Sequence, residues 1–397
     1  MSEKKIIFFP SLSSGNSKDW LIKNVPMANG VTSRFYCDTY PEEYRHKYFL
    51  LSAGHNLTKD TLRADFGLGS DCFVMGDSGG YQICTGAIKW KPETKDRVLT
   101  WLENNSDIAI NLDIPPRGKL YGYNEALQLS YDNFKYFTEN RQGKTMFLNV
   151  LQGANQGELD QWYHKMKDFE FDGWSVGGVG GNVYAVMYVL ARFIQEKEFE
   201  KTHNKYLHLL GATAVENFWF FAVIQKALNE RFDNRIQITT DSSSCNRATV
   251  FGSWFHDIDW RGMKQITCYF GNKGKTDYNL KGKLPCRLGC PACVGRTYSE
   301  VEPYDQQTYM MMTNHNLAFQ TNMIGVLNNL VDSHKEMTKE ILGNGYYQLQ
   351  NIVRELIMSD EPVKTFYKYE QVFLKYGNMS KTQTNDKVIQ EFFNFNQ

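Results

Sequence analysis

Short apolar runs, each closed by polar or glycine-rich residues, recur through the amino-terminal part of the chain. They are Ile6–Phe9, Tyr48–Leu51, Cys72–Met75, Ile108–Leu112, Met146–Leu151, Trp174–Val176, Leu207–Leu210 and Ile236–Thr240. Runs this short, bounded by turn residues, predict strands buried on both faces. Between several of them the spacing turns helical. In Leu159–Phe169 the apolar positions Leu159, Trp162, Met166 and Phe169 return every three to four residues, and Val183–Phe193 and Ala214–Leu228 repeat the pattern.

The last six runs close on Asp77, Asp113, Gln152, Gly177, Gly211 and Asp241. Each interval is long enough for a loop, a crossover helix and another strand. Eight strands alternating with helices predict an α/β protein of the (β/α)8 TIM-barrel type, with a doubly wound sheet as the alternative. In a barrel the carboxyl ends of the strands converge on one rim, where active sites lie. Two or more carboxylates, a carboxamide and glycine turns at strand ends suit such a site. The plain alternative is that Asp and Gly merely open loops.

After Asn246 the texture changes. Residues 260–300 are rich in Gly and Lys, with a β-like piece at Gln265–Phe270. From about Thr308 to Tyr376 the pattern is helical, with Met323, Val326, Leu327 and Leu330 on one stripe and a break at Gly343-Asn344-Gly345. The expected organisation is a catalytic barrel over 1–259, a metal-binding subdomain over 260–325, and a helical region over 326–397 packed on the barrel. The polar tail from about Asn378 ends in Phe392, Phe393 and Phe395, which suit docking.

Composition narrows the class. With 42% hydrophobic and 14% aromatic residues, disorder as the overall state is excluded. Lys+Arg 44 balances Asp+Glu 44, so only a local patch argues for nucleic acid. One exists: Lys273, Lys275, Lys281, Lys283, Arg287 and Arg296 face the single acid Asp277 over that segment. A solvated loop is the bland reading of it. No apolar run reaches the length of a membrane span, and the first residues do not form a signal peptide, so a cytoplasmic enzyme without a membrane partner is expected.

Of the eight cysteines, Cys286, Cys290 and Cys293 share one Gly- and Pro-containing loop. Three thiolates this close suit one structural zinc ion, which wants four soft or borderline ligands. Candidates for the fourth are His315, His334, Cys268 and His256. His315 opens an apolar helical stretch and is placed to reach back. Reduced core thiols are the alternative.

Met75-Gly-Asp77-Ser-Gly-Gly80-Tyr81-Gln82 is the most specific stretch in the sequence. Its glycines let backbone approach a ligand closely, and Tyr81 offers a stacking face. Together with the cysteine loop and the order of strand-end residues, it resembles the tRNA-guanine transglycosylase superfamily. That family's Asp-Ser-Gly-Gly-(Phe/Tyr)-Gln motif stands intact at residues 77–82. The resemblance runs from about residue 70 to 325. It takes in the Asp113 strand, Gln152-Gly153, Gly177-Gly178-Val179, Leu210-Gly211, Asp241 with Arg247 six residues on, and His315-Asn316-Leu317.

The resemblance implies a barrel enzyme with a zinc subdomain that exchanges a nucleobase. Asp241 would be the nucleophile and Asp77 the general acid and base. Asp113, Gln152 and the Gly177-Gly178-Val179 backbone would read the base, and Tyr81 would stack on it. Arg247 would face the strand near the target, and Cys286, Cys290, Cys293 and His315 would hold zinc. Three departures point to a specialised branch. The cysteine spacing is C-x3-C-x2-C, the first 70 residues differ, and no appended RNA-binding domain is apparent. The chain is most similar to the DpdA branch of phages and bacterial islands, which inserts 7-deazaguanines into DNA. For a phage protein the compartment would be the host cytoplasm. Members that accept an aminomethyl base carry a glutamate after the Gly-Gly turn. Here Val179-Gly-Gly-Asn182-Val183 has no carboxylate, which implies the neutral base 7-cyano-7-deazaguanine (preQ0). Action on tRNA is the alternative, then a non-catalytic nucleic-acid-binding subunit. A homodimer or helper proteins remain open at this point.

Overall fold

The computed structural model describes residues 3–12, 17–116, 120–178, 182–269, 284, 286, 288–297, 300, 305–332 and 335–378. Eight parallel strands form its centre: β1 (Ile7–Pro10), β2 (Tyr48–Ser52), β3 (Phe73–Asp77), β4 (Ile108–Ile110), β5 (Met146–Leu151), β6 (Gly173–Val176), β7 (Tyr206–Leu209) and β8 (Gln237–Ser242). Each pairs with its sequence neighbour from β2 through β8, and β8 pairs with β1. The remaining seam, β1 against β2, is held by the Ser11–Leu50 bridge and by Leu12 N–H donating to Leu50 O at 3.1 Å. The result is a nearly closed TIM-like barrel, not a doubly wound sheet. Every apolar run became a strand because both its faces are covered, by barrel core within and helices without.

Side-chain alternation then decides which residues face the axis. Ile7, Phe9, Tyr48, Phe73, Ile108, Tyr206, Gln237 and Thr239 line a cavity of about 320 Å³ at the amino-terminal face. The same alternation carried upward sends Asp77 and Asp241 inward at the opposite, carboxyl end. The chemistry-bearing residues therefore stand at the far end of the barrel from this cavity.

The helices Val183–Gln195 and Val215–Phe232 are buried on nearly every side. Barrel helices normally show one apolar stripe; these carry more because a second layer of helices covers them. Gln306–Asp332 and Asn344–Met358 pack on Val215–Phe232, while Pro362–Lys368 and Glu370–Asn378 pack on Val183–Gln195. Phe366 seats between Tyr184 and Tyr188 at ring separations of 5.2 and 5.4 Å.

Two expected junctions are spanned by continuous structure. The hairpin of β9 (Ser253–Asp259) and β10 (Lys264–Tyr269) crosses 259/260, and the 27-residue helix Gln306–Asp332 runs through 325/326. Along that helix Met323, Leu327 and Leu330 are buried, but Val326 is 41% exposed and lies off the stripe. The break at Gly343 stands as expected, with φ 106°. The tail phenylalanines Phe392, Phe393 and Phe395 lie outside the described residues.

Candidate functional site

Asp77 ends β3, where its register partner on β2 is Ser52. Ser52 Oγ donates to Asp77 Oδ2 at 2.6 Å, and Gly79 N–H reaches Oδ1 at 3.3 Å. The turn beyond is possible only with glycine. Gly79 has φ 82°, and a Cβ on Gly80 would collide with the Asp113 carbonyl oxygen. The Asp-Ser-Gly-Gly stretch therefore packs backbone to backbone against the end of β4. It also launches a short helix, Gly80–Cys84, from which Tyr81 projects 66% exposed. A core role for this tyrosine is excluded.

Asp113 lies three residues past β4 and is 5% exposed. Gln152, just past β5, donates from Nε2 to Asp113 Oδ2 at 2.8 Å. Burial pushes the Asp113 carboxyl up to about 7; the Gln152 hydrogen bond lowers it, and the nearby charge of Asp77 adds to the rise. A buried carboxylate bonded across strands is not a turn residue. Gly177, at the end of β6, completes this corner, since a Cβ there would fall inside the Gln152 carboxamide. Gly178 follows with φ 68°; Val179 lies outside the described residues. Asn182 is committed locally, capping the helix Val183–Gln195 through Ala185 N–H at 3.3 Å.

Asp241, near the end of β8, accepts Gly211 N–H on Oδ1 at 2.8 Å, and His208 Nε2 lies 3.4 Å from the same oxygen. Its carboxylate reaches sideways to β7, so it is no N-cap for the helix Ser244–Val250. Ser242 Oγ instead accepts Ser244 N–H at 2.9 Å. Arg247, on that helix, is exposed. Asp77, Asp113, Gln152, Gly177, Gly178, Gly211 and Asp241 thus share one rim. Sequence reading missed Ser52 and His208. Both matter through cross-strand partners, Asp77 and Asp241, which strand register sets.

The second centre is built from the cysteine loop and the long helix. Cys286, Cys290, Cys293 and His315 bring their ligand atoms within 4.8 Å of one another, and all but Cys286 are buried. Cys286 Sγ–Cys290 Sγ is 3.8 Å, and His315 Nδ1 lies 3.4 and 3.2 Å from Cys290 and Cys293. A tetrahedral ion about 2.3 Å from sulfur sets neighbouring sulfurs roughly 3.8 Å apart. The Cys290–Cys293 edge, at 2.8 Å, is tighter and would open around an ion. His315 Nε2 meets the Phe255 carbonyl at 2.8 Å, which puts the proton on Nε2 and aims the Nδ1 lone pair at the sulfurs. Trp254 stacks on its ring at 3.7 Å. Tyr44 and Asn29, from the β1–β2 connection, hold the loop through Leu288 O, Pro291 O and Val294 O. The set fits a structural metal. His256 and Cys268 stand outside it, and His334 lies outside the described residues.

Of the basic segment, Lys273, Lys275, Lys281, Lys283 and Arg287 lie outside the described residues, while Arg296 pairs with Glu300 at 2.8 Å. Among the described residues no helix is long and apolar enough to cross a membrane. Neither the protein-family models nor the curated proteins contain a match to the chain.

Proposed function

We propose that the protein is a transglycosylase that exchanges guanine in DNA for a 7-deazaguanine, through a covalent link between Asp241 and C1′ of the target nucleotide. The observation that carries this reading is that Asp77, the Asp113–Gln152 pair and Asp241 all stand at the carboxyl ends of parallel strands, on one rim of the barrel.

The residues divide the work. Ionised Asp113 accepts the N1–H and N2–H donors of guanine, and the second Gln152 N–H and the backbone at Gly177-Gly178 meet the acceptors. A carboxylate oxygen of Asp241 bonds to C1′ as the bond from C1′ to N9 breaks, and Asp77, which enters this step in its protonated form, gives its proton to the departing base. The incoming base then returns its N9 proton to Asp77, bonds to C1′ and releases Asp241. The backbone is never cut, and two in-line steps retain configuration, as in two-carboxylate glycoside chemistry. The target must leave its stack to reach the rim, and exposed Tyr81 offers it a new stacking face.

Zinc is the ion we assign to the cysteine–histidine centre, because three thiolates and an imidazole are its preferred set. It supplies structure there and takes no part in the exchange. For the incoming base, the capping duty of Asn182 and the lack of a carboxylate between Val179 and Val183 favour the neutral 7-cyano compound over the cationic aminomethyl one. The test is incorporation of labelled guanine into duplex DNA, single-stranded DNA and tRNA in parallel. Exchange in DNA is expected. Exchange in tRNA alone would overturn the assignment of substrate, and none in any would overturn the reaction.

A further inference from the structure

His208 lies in the middle of β7 with its ring fully buried. It shares inward parity with Tyr206, a lining residue of the barrel interior. Its Nδ1 is 2.8 Å from Thr239 Oγ1 on β8, and its Nε2 is 3.4 Å from Asp241 Oδ1. Nε2 has no hydrogen-bond partner at closer range among the described residues. A buried ring nitrogen left without a partner is costly, so what it faces decides its state. An ionised carboxylate can only accept. A lone pair on Nε2 would repel it, so the proton belongs on Nε2, and Nδ1 accepts from the Thr239 hydroxyl.

We propose that His208 is a positioning residue for Asp241, with Thr239 fixing its tautomer. Gly211 N–H and His208 Nε2–H both act on Oδ1. Oδ2 receives no hydrogen bond among the described residues, and it is the oxygen left to attack. The long 3.4 Å contact shortens when the carboxylate is drawn into line with substrate. No proton moves through this chain. The bond to C1′ forms at Oδ2 and breaks there, while Oδ1 keeps both donors. What Oδ2 attacks rests on the transglycosylase reading; the orientation of the carboxylate does not.

Two measurements separate those claims. In protein labelled with 15N-histidine, long-range proton–nitrogen correlations report each tautomer, and His208→Gln identifies the signal. An Nε2–H tautomer whose nitrogen shifts move in Asp241→Asn is expected. An Nδ1–H tautomer, or shifts indifferent to Asp241→Asn, overturns the proposal whatever the protein catalyses. In the exchange assay, His208→Leu should lower kcat by about 10- to 100-fold with KM for nucleic acid little changed. His208→Gln, which retains an N–H donor, should recover part of that loss. Equal losses in Leu and Gln variants of unchanged Tm overturn it. If the wild-type protein exchanges nothing, the reaction assignment fails, and the tautomer still decides the role of His208.

Discussion

Gln152 and Asp113 leave neighbouring strands and meet at 2.8 Å, the carboxamide N–H on a carboxylate oxygen that is almost wholly buried. The bond explains why each residue needs the other. Asp113 alone would be an uncompensated buried charge, and Gln152 alone would have no fixed orientation. On the proposed reading, the other Asp113 oxygen and the second Gln152 N–H would offer an acceptor beside a donor to the edge of a guanine.

The raised pKa of Asp113 gives the pair a pH signature. If Asp113 reads the base as proposed, it must be ionised to accept the N–H groups, so affinity for free 7-cyano-7-deazaguanine should rise with pH and level off above about 7. Because the charge of Asp77 helps raise this pKa, Asp77→Asn should move the midpoint downward. For stability the sign is opposite. The folded state holds the proton more tightly than the unfolded chain, so this group's contribution is full at low pH and declines as pH climbs towards about 7. Calorimetric titration of the base from pH 5 to 9 checks the binding limb; a flat profile contradicts it.

Gly177 and Gly80 separate function from folding. Ala at 177 is acceptable to the backbone but displaces the Gln152 side chain and strips Asp113 of its partner, so base affinity should drop by about tenfold or more at a cost in stability of about 1–2 kcal/mol. Ala at 80 meets the Asp113 carbonyl, a backbone atom that cannot yield. Gly80→Ala should destabilise the whole barrel by roughly 2–4 kcal/mol. Thermal unfolding alongside base binding distinguishes the two outcomes.

Tyr81 is predicted to act only on the nucleic acid. Its exposure means that Tyr81→Ala should change stability by less than about 0.5 kcal/mol. Losing a stacking platform should weaken single-stranded DNA by about 1–3 kcal/mol. Fluorescence anisotropy at fixed salt measures it, and unchanged affinity would remove Tyr81 from the interface.

Metal removal should be a folding event. Chelation, or Cys290→Ser, should lower Tm by roughly 5 °C or more, and elemental analysis of untreated protein should give about one zinc per chain. Full stability in metal-free protein would contradict the structural role.

Much of this was legible before any coordinates. Eight strands could be read because burial on both faces leaves runs without polar alternation. The ends of those runs, from Asp77 to Asp241, came to one rim because parallel strands in a barrel all point the same way. His315 was legible as a histidine soon after a cysteine loop in an apolar stretch, although it lies within the helix Gln306–Asp332 rather than at its head. Ser52 and His208 were not. Their importance lies in cross-strand neighbours, Asp77 and Asp241, that register sets and local pattern does not record. Val326 was misread because the buried edge centres on Leu327, with Met323, Ile324, Leu330 and Val331 to either side, and Val326 falls just beyond it. The unbroken helix Gln306–Asp332 shows why composition misjudges boundaries, since it serves the metal centre at His315 and the barrel's outer layer at Leu327.

The most direct test of the central claim is to trap the intermediate. Wild-type protein incubated with guanine-containing DNA and quenched in denaturant should yield a covalent protein–DNA species that 7-cyano-7-deazaguanine chases away and that Asp241→Asn fails to form. An adduct of equal yield in Asp241→Asn, or none in wild-type protein that exchanges guanine, would contradict it.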